Sequence, residues 1–421
     1  MRIVFQLSTQ CNLRCSYCYQ HKKDSNIMTF EQAKALLDDL FSWKQGDYAN
    51  SKIFKYTIGE KSFEISPVNL DFFGGECTLH IELIKQICQY FEDLCDKYNE
   101  KDLKDTYWIT IQTNGTTFFN QEVNDFYHKY INRIDMSIST DGCKACHNAC
   151  RKYVNGQGSY DDVEKAILAH NELMGHAPNT KLTISIENMQ FLPAVVSTLS
   201  RLGYKSVRGS FDITHRLTKQ ESEQYYNYLI QAVDFIIDNK IEFCFSFFWP
   251  AENSIKIEDD QIICATSICG SNGSQIAMNY DGNLYFCAQL SEATLPKEKE
   301  VLLGNIFTGI SADGIAWINK FRLPSRQMPN LCLDCPLKFL CEDCPALNIL
   351  RTNDVSQASP NCGATIAEAR AAIYFAERAT ETNYPYFKDI VEKILKYVKY
   401  DPKRKYFINE KGEPPICLKF M

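Results

Sequence analysis

The feature that most constrains this chain is the stretch "CNLRCSYCY" (11–19), which places Cys11, Cys15 and Cys18 at gaps of three and two residues. It follows directly on "RIVFQLS" (2–8), a strand-like run. Three thiolates on a tight loop can hold three corners of a cubane [4Fe–4S] cluster, because iron prefers sulfur ligands at such spacing. The fourth iron is then left without a protein ligand and can take a substrate or cofactor. A structural zinc ion wants four ligands and would have to borrow one from afar, an alternative that spacing alone leaves open.

Periodicity around the triad outlines a fold. Thr29 with Gln32 forms a capping-box pattern, and Ala33, Leu36, Leu37, Leu40 and Phe41 repeat at helical spacing, so a helix is predicted over 30–44. Strand-like segments then alternate with helical ones: 68–73 with 80–98, 107–113 with 121–131, 133–139 with 160–173, 181–187 with 192–201, and 206–213 with 219–238. Counting the first, these are six strand–helix units, the pattern of a parallel sheet with helices outside. A complete barrel needs eight, so the expected class is α/β, a partial (β/α)6 TIM-like barrel or an open sheet over 1–240. In either, functional residues gather at the C-terminal ends of the strands, where the triad sits. Within 47–66, "KIFKYTI" and "KSFEIS" flanking Gly59 suggest an inserted hairpin.

Beyond about residue 240 the texture changes. Cysteines crowd 264–362 among Gly- and Pro-punctuated segments, predicting a loop-rich region over 241–370 whose core would be marginal without metal. Helical periodicity returns at 363–380 and 386–399, so 371–421 reads as a helical tail.

The chain has 421 residues and 19 cysteines. The odd count, with no secretory signal ahead of the first strand, points to metal-binding or catalytic thiols in a reducing compartment, and the expected location is cytoplasmic. No apolar run reaches the ~18 residues of a membrane span. A net charge of −7 argues against general nucleic-acid binding.

The C-x3-C-x2-C triad, with aromatic Tyr17 before its last cysteine, resembles the signature of the radical S-adenosylmethionine enzymes. Further likenesses fall at later strand ends. "FFGGE" (72–76) resembles the family's motif for the methionyl amino group, which implicates Gly74, Gly75 and Glu76. "QTNG" (112–115) and "SISTDG" (137–142) resemble its next two motifs and imply cofactor contacts by Asn114 and Ser139. Arg151 in "HNACR" matches the arginine that pairs with the cofactor carboxylate, a task suited to a guanidinium fork. Cys77 stands where the family usually has proline, which should change a turn and leave the amino-group contact intact. The resemblance implies that the open iron chelates S-adenosylmethionine, that a cluster electron cleaves its sulfonium, and that the 5′-deoxyadenosyl radical abstracts a substrate hydrogen. It also implies an electron donor of flavodoxin or ferredoxin type.

Eight cysteines of the second region, Cys264, Cys269, Cys287, Cys332, Cys335, Cys341, Cys344 and Cys362, resemble the SPASM domain, which carries two auxiliary [4Fe–4S] clusters. By that resemblance Cys264, Cys269, Cys287 and Cys344 hold one cluster, and Cys332, Cys335, Cys341 and Cys362 the other. Three clusters in all are expected; paired zinc sites are the alternative, since C-x2-C pairs are common zinc ligands. The last gap of the block is two residues where three is usual, which affects the register of Cys344. Cys88 and Cys95 read as buried apolar residues of a helix. Cys143, Cys146 and Cys150 invite a metal reading, but their place in a strand-to-helix turn beside the Arg151 motif argues against one.

The SPASM resemblance implies a peptide or protein substrate. Sulfatase-maturing relatives, which make formylglycine, carry an aspartate after the cysteine corresponding to Cys287; Ala288 stands there instead. The likeness therefore leans to maturases that crosslink ribosomal precursor peptides, often through thioethers, and "DGCKACHNACR" resembles the group acting on cysteine-repeat peptides. The sequence opens on the first strand, so a leader peptide is expected to dock elsewhere or on a separate protein. The basic stretch 393–405 could meet an acidic leader, with Lys403 and Arg404 as its test positions, although a solvated helix face explains it as well. A non-catalytic iron–sulfur or zinc scaffold is the reading from another class.

Overall fold

Four strands, β1 (Arg2–Gln6), β2 (Asn69–Phe73), β3 (Trp108–Thr113) and β4 (Ile134–Ile138), lie parallel and in that order. The computed structural model describes residues 1–59, 67–248, 255–258, 261–264, 275–322, 334–337, 344–354, 361–385, 399–401, 406–409 and 411–412. In the sheet Phe5 pairs with Phe72 and Phe72 with Ile111, and all three are fully buried. Parallel strands covered on both faces read as apolar runs, as β1 and β2 do. The chain forms two units: Met1–Arg14, Cys18–Ile138 and Cys269–Pro324 make the first, and Cys15–Tyr17, Ser139–Ile268 and Ser325–Met421 the second.

In the first unit the crossovers are helices α1 (Phe30–Lys44), α2 (Phe54–Thr57), α3 (Ile81–Lys97), α4 (Lys101–Thr106) and α5 (Gln121–Lys129). The predicted capping box is present: Thr29 accepts from the Gln32 amide, and the Gln32 side chain accepts from the Thr29 amide. The other edge of β1 carries a further parallel strand, Gln275–Met278, with Arg2 opposite Gln275. Asn283–Tyr285, Gly304–Asn305 and Gly309–Ile310 extend the sheet antiparallel to eight strands. These segments, which the periodicity assigned to the loop-rich second region, hydrogen-bond onto the first sheet.

The first arm of the expected hairpin in 47–66 is instead helical, as α2; the second arm, from 60 to 66, lies outside the described residues. The cause is Asp39 on α1. Its buried carboxylate accepts from Ser51 Oγ at 3.0 Å and from the backbone amides of Lys52, Ile53 and Phe54. Successive amides aimed at one carboxylate impose a helical start. Replacing Asp39 with alanine is expected to lower stability by about 2–3 kcal/mol, because buried donors lose their acceptor. Denaturant unfolding measures it.

The second unit holds α6 (Lys144–Cys150), α7 (Tyr160–Met174), α8 (Leu192–Arg201) and α9 (Lys219–Asp238) with a parallel sheet of β5 (Lys181–Ile184), β6 (Ser206–Phe211) and β7 (Cys244–Phe245). The helix Cys362–Glu381 packs on α9 through a face rich in alanine, which permits close approach. Ser222 Oγ donates to the Gly363 carbonyl at 2.7 Å, and Tyr374 and Arg378 both donate to Asp234. The tail is not wholly helical: Lys399–Asp401 pairs antiparallel with Tyr406–Ile408. Residues 386–398, Lys403 and Arg404 lie outside the described residues. Among the described residues no helix is long and apolar enough to cross a membrane.

Candidate active site

In the first unit the segment entering the cysteine loop is gripped by the end of β2. The Gly75 amide donates to the Ser8 carbonyl at 3.0 Å and the Glu76 amide to the Gln10 carbonyl at 2.7 Å. Gly74 has φ +142°, and a Cβ on either glycine would collide with the backbone oxygens of Ser8 or Gln10. Chain-to-chain approach therefore already requires both glycines.

Glu76 is 1% exposed. Its Oε1 accepts from Thr78 Oγ1 at 2.5 Å, the Thr78 amide at 3.3 Å and Thr113 Oγ1 at 2.7 Å, while Oε2 accepts from the Asn114 amide at 2.6 Å. Burial pushes its carboxyl upward in pKa, and these donors oppose that push. Glu76 thus ties β2 to the end of β3. The Cys77 thiol lies 3.3 Å from the Gln112 carbonyl oxygen and 3.5 Å from that of Phe72, and its single hydrogen can go to either.

Asn114 reaches the cysteine loop. Its Nδ2 donates to Asn12 Oδ1 at 2.8 Å and lies 3.9 Å from Cys11 Sγ. The Leu13 amide donates to the same sulfur at 3.4 Å, and Lys23 Nζ donates to Cys18 Sγ at 3.4 Å. Burial raises the Cys11 pKa. Nitrogen donors aimed at Cys11 and Cys18 suit anionic, iron-bound sulfur, and the donor set fits a cluster ligand loop.

In the second unit Cys15–Tyr17 is held by a separate network. The Tyr17 hydroxyl and Arg151 Nε both donate to Asp141 Oδ2, the latter at 3.0 Å, and the Thr183 amide donates to Oδ1 at 3.1 Å. Asp141 is fully buried and Arg151 nearly so, with the guanidinium 5.5 Å from the Tyr17 ring centre. Burial opposes the Arg151 charge, but the Asp141 carboxylate outweighs it and holds its pKa above the usual range. The Ser16 amide donates to the Cys150 carbonyl at 3.1 Å and Ser16 Oγ to Glu187 at 2.7 Å. Ser139, the residue after β4, is half-buried. Cys143 caps α6 by accepting from the Cys146 amide at 3.4 Å, Cys146 donates to the Asn188 carbonyl at 3.8 Å, and Cys150 to Glu187 at 3.3 Å. Each of these thiols has a local structural bond.

Of the second-region cysteines, Cys287, Cys335, Cys344 and Cys362 are described, while Cys269, Cys332 and Cys341 and the Cys264 side chain lie outside the described residues. Cys335 and Cys362 pack on one apolar cluster formed by Leu337, Ile366, Ala369, Ala372, Ile373 and Phe407. Among the described residues no cysteine forms a disulfide, and no three His, Cys, Asp or Glu side chains gather closely enough to hold one metal ion. Sequence reasoning assigned no role to Asp141, Glu187 or Lys23. Asp141 stood inside the quoted "SISTDG", whereas the other two carried no signal.

Residues 5–184 match the Radical SAM superfamily. An uncharacterized protein of Methanocaldococcus jannaschii is 26% identical over 50% of this chain and 62% of its own length. A cysteine-type anaerobic sulfatase-maturating enzyme of Clostridium perfringens is 24% identical over 68% of this chain and 73% of its own. Among solved structures, native anSMEcpe with bound AdoMet and Cp18Cys peptide superposes with a TM-score of 0.63 at 19% identity, covering 93% of this chain and 99% of that one. Streptococcus suis SuiB bound to precursor peptide SuiA gives 0.51 at 14% identity over 85% and 74%. At these identities the structural likeness shows the fold, the partial α/β barrel expected from the strand–helix alternation.

Proposed function

Residues 5–184 form a radical SAM domain, and from that premise we propose that the protein is a peptide maturase that crosslinks a ribosomal precursor. The domain works with S-adenosylmethionine and a [4Fe–4S] cluster, which together supply one-electron cleavage of the sulfonium and a radical able to take hydrogen from carbon. Cys11, Cys15 and Cys18 hold that cluster. The observation that carries this is the pair of loop sulfurs, Cys11 and Cys18, each met by nitrogen donors.

The other contacts follow from residues near the strand ends. Arg151, kept charged by Asp141, receives the cofactor carboxylate. Gly74, Gly75 and Glu76 present the amino-group site, with Oε2 of Glu76 the less occupied oxygen. Asn114, Ser139 and Tyr17 complete the cofactor contacts. Cys264, Cys269, Cys287 and Cys344 hold one auxiliary cluster and Cys332, Cys335, Cys341 and Cys362 the second, giving three. The shared packing of Cys335 and Cys362 supports the second set.

A flavodoxin- or ferredoxin-type electron donor is the implied partner. The peptides in the two similar structures support a peptide substrate. Formylglycine formation is the second reading, favoured by the similarity to a sulfatase-maturating enzyme. Against it, buried Ala288 offers no carboxylate after Cys287.

Anaerobic co-expression with a short cysteine-rich precursor tests the proposal by mass spectrometry. The expected product has lost two hydrogens per crosslink. Conversion of a cysteine to formylglycine, or a peptide unchanged while S-adenosylmethionine is consumed, would overturn it.

A further inference from the structure

We propose that Lys23 tunes the reduction potential of the cluster held by Cys11, Cys15 and Cys18 through a charged hydrogen bond to the Cys18 sulfur. This rests on reading the triad as a cluster loop. Lys23 Nζ lies 3.4 Å from Cys18 Sγ, and the residue is half-buried. The preceding Lys22 serves elsewhere, pairing with Glu292 at 2.7 Å and Asp24 at 3.5 Å. The Thr9 hydroxyl and the Asn26 amide both donate to Asp24 Oδ1, at 3.0 and 3.1 Å, which fixes the chain beside Lys23. Two adjacent lysines thus take separate tasks, one on carboxylates and one on sulfur.

The charge on Lys23 separates it from the other donors. Cys11 receives a backbone amide and a carboxamide, both neutral. Cys18 receives an ammonium, and hydrogen bonds from charged donors are about twice as strong as neutral ones. Reduction places one more electron on the cluster and its thiolates. A cation within hydrogen-bond distance of a ligand sulfur stabilises that added charge, so the reduced form is favoured and the potential rises. Hydrogen bonds to the sulfurs and nearby charge are established levers on cluster potentials. Lys23 acts through Cys18, which makes it a positioning residue for electron entry.

The test is a potentiometric titration of anaerobically reconstituted full-length protein, followed by electron paramagnetic resonance. The relevant cluster is recognised by the change in its signal when S-adenosylmethionine is added. Lys23→Gln should retain wild-type iron content and show a more negative midpoint for that cluster alone. Lys23→Arg, which keeps the charge, should return the midpoint toward wild type. An unchanged midpoint in a fully loaded Lys23→Gln protein overturns the inference and leaves the triad reading standing. A wild-type protein with no cluster that responds to S-adenosylmethionine overturns both.

Discussion

Exchange of Cys15 for alanine is expected to abolish 5′-deoxyadenosine formation from S-adenosylmethionine, while about eight of some twelve irons per chain remain, by three cubanes. Two sulfurs on this loop would not retain the cluster, whereas the cysteines proposed for the auxiliary clusters lie elsewhere in the sequence. The measurement pairs chromatography of the nucleoside with iron and sulfide analysis under anaerobic conditions. Retained cleavage would remove the triad from the chemistry. Zinc in place of iron would favour a non-catalytic scaffold.

The second large effect concerns the ion pair under Tyr17. Arg151→Ala leaves the fully buried Asp141 carboxylate without its cation, and breaking such a pair costs about 3–5 kcal/mol. The lower end is expected, because the Tyr17 hydroxyl and the Thr183 amide still donate to Asp141. Burial pushes the Tyr17 pKa well up, so the phenol stays protonated and remains a donor through the neutral range. Asp141→Asn in the Arg151→Ala background removes the stranded charge and should recover part of the loss. Unfolding free energies of the two single variants and the double variant measure that coupling, and equilibrium binding of S-adenosylmethionine reports the cofactor contact separately. Additive losses with unaltered affinity would show that the pair neither couples nor serves the cofactor.

Helices and strands of the first half were legible because their signals are local. Thr29 and Gln32 announce α1 within four residues, and the apolar spacing of Ala33, Leu36, Leu37 and Leu40 matches its buried face. What escaped was long-range. Nothing near "KIFKYTI" reveals that Asp39, on the preceding helix, will collect its amides and override strand propensity. The strand Gln275–Met278 is only four residues long, and its partner lies at the other end of the chain. The strand-end motifs name residues, but a motif does not say how a side chain divides its bonds. Glu76 was read as an acceptor for an ammonium, and the structure also gives it four donors from its own chain. Lys23 belongs to no pattern, since its effect depends on a distance rather than on a spacing.

The pairing of Arg2 with Gln275 has a bearing on biogenesis. During translation at ~5–20 residues per second, β1 waits on the order of tens of seconds for that neighbour to leave the ribosome. Until then a nascent chain carries a bare, apolar strand border, the kind of surface that recruits other chains. Expression of residues 1–240 alone should therefore yield aggregates or chaperone-bound material, whereas the full-length polypeptide supplies its own cover.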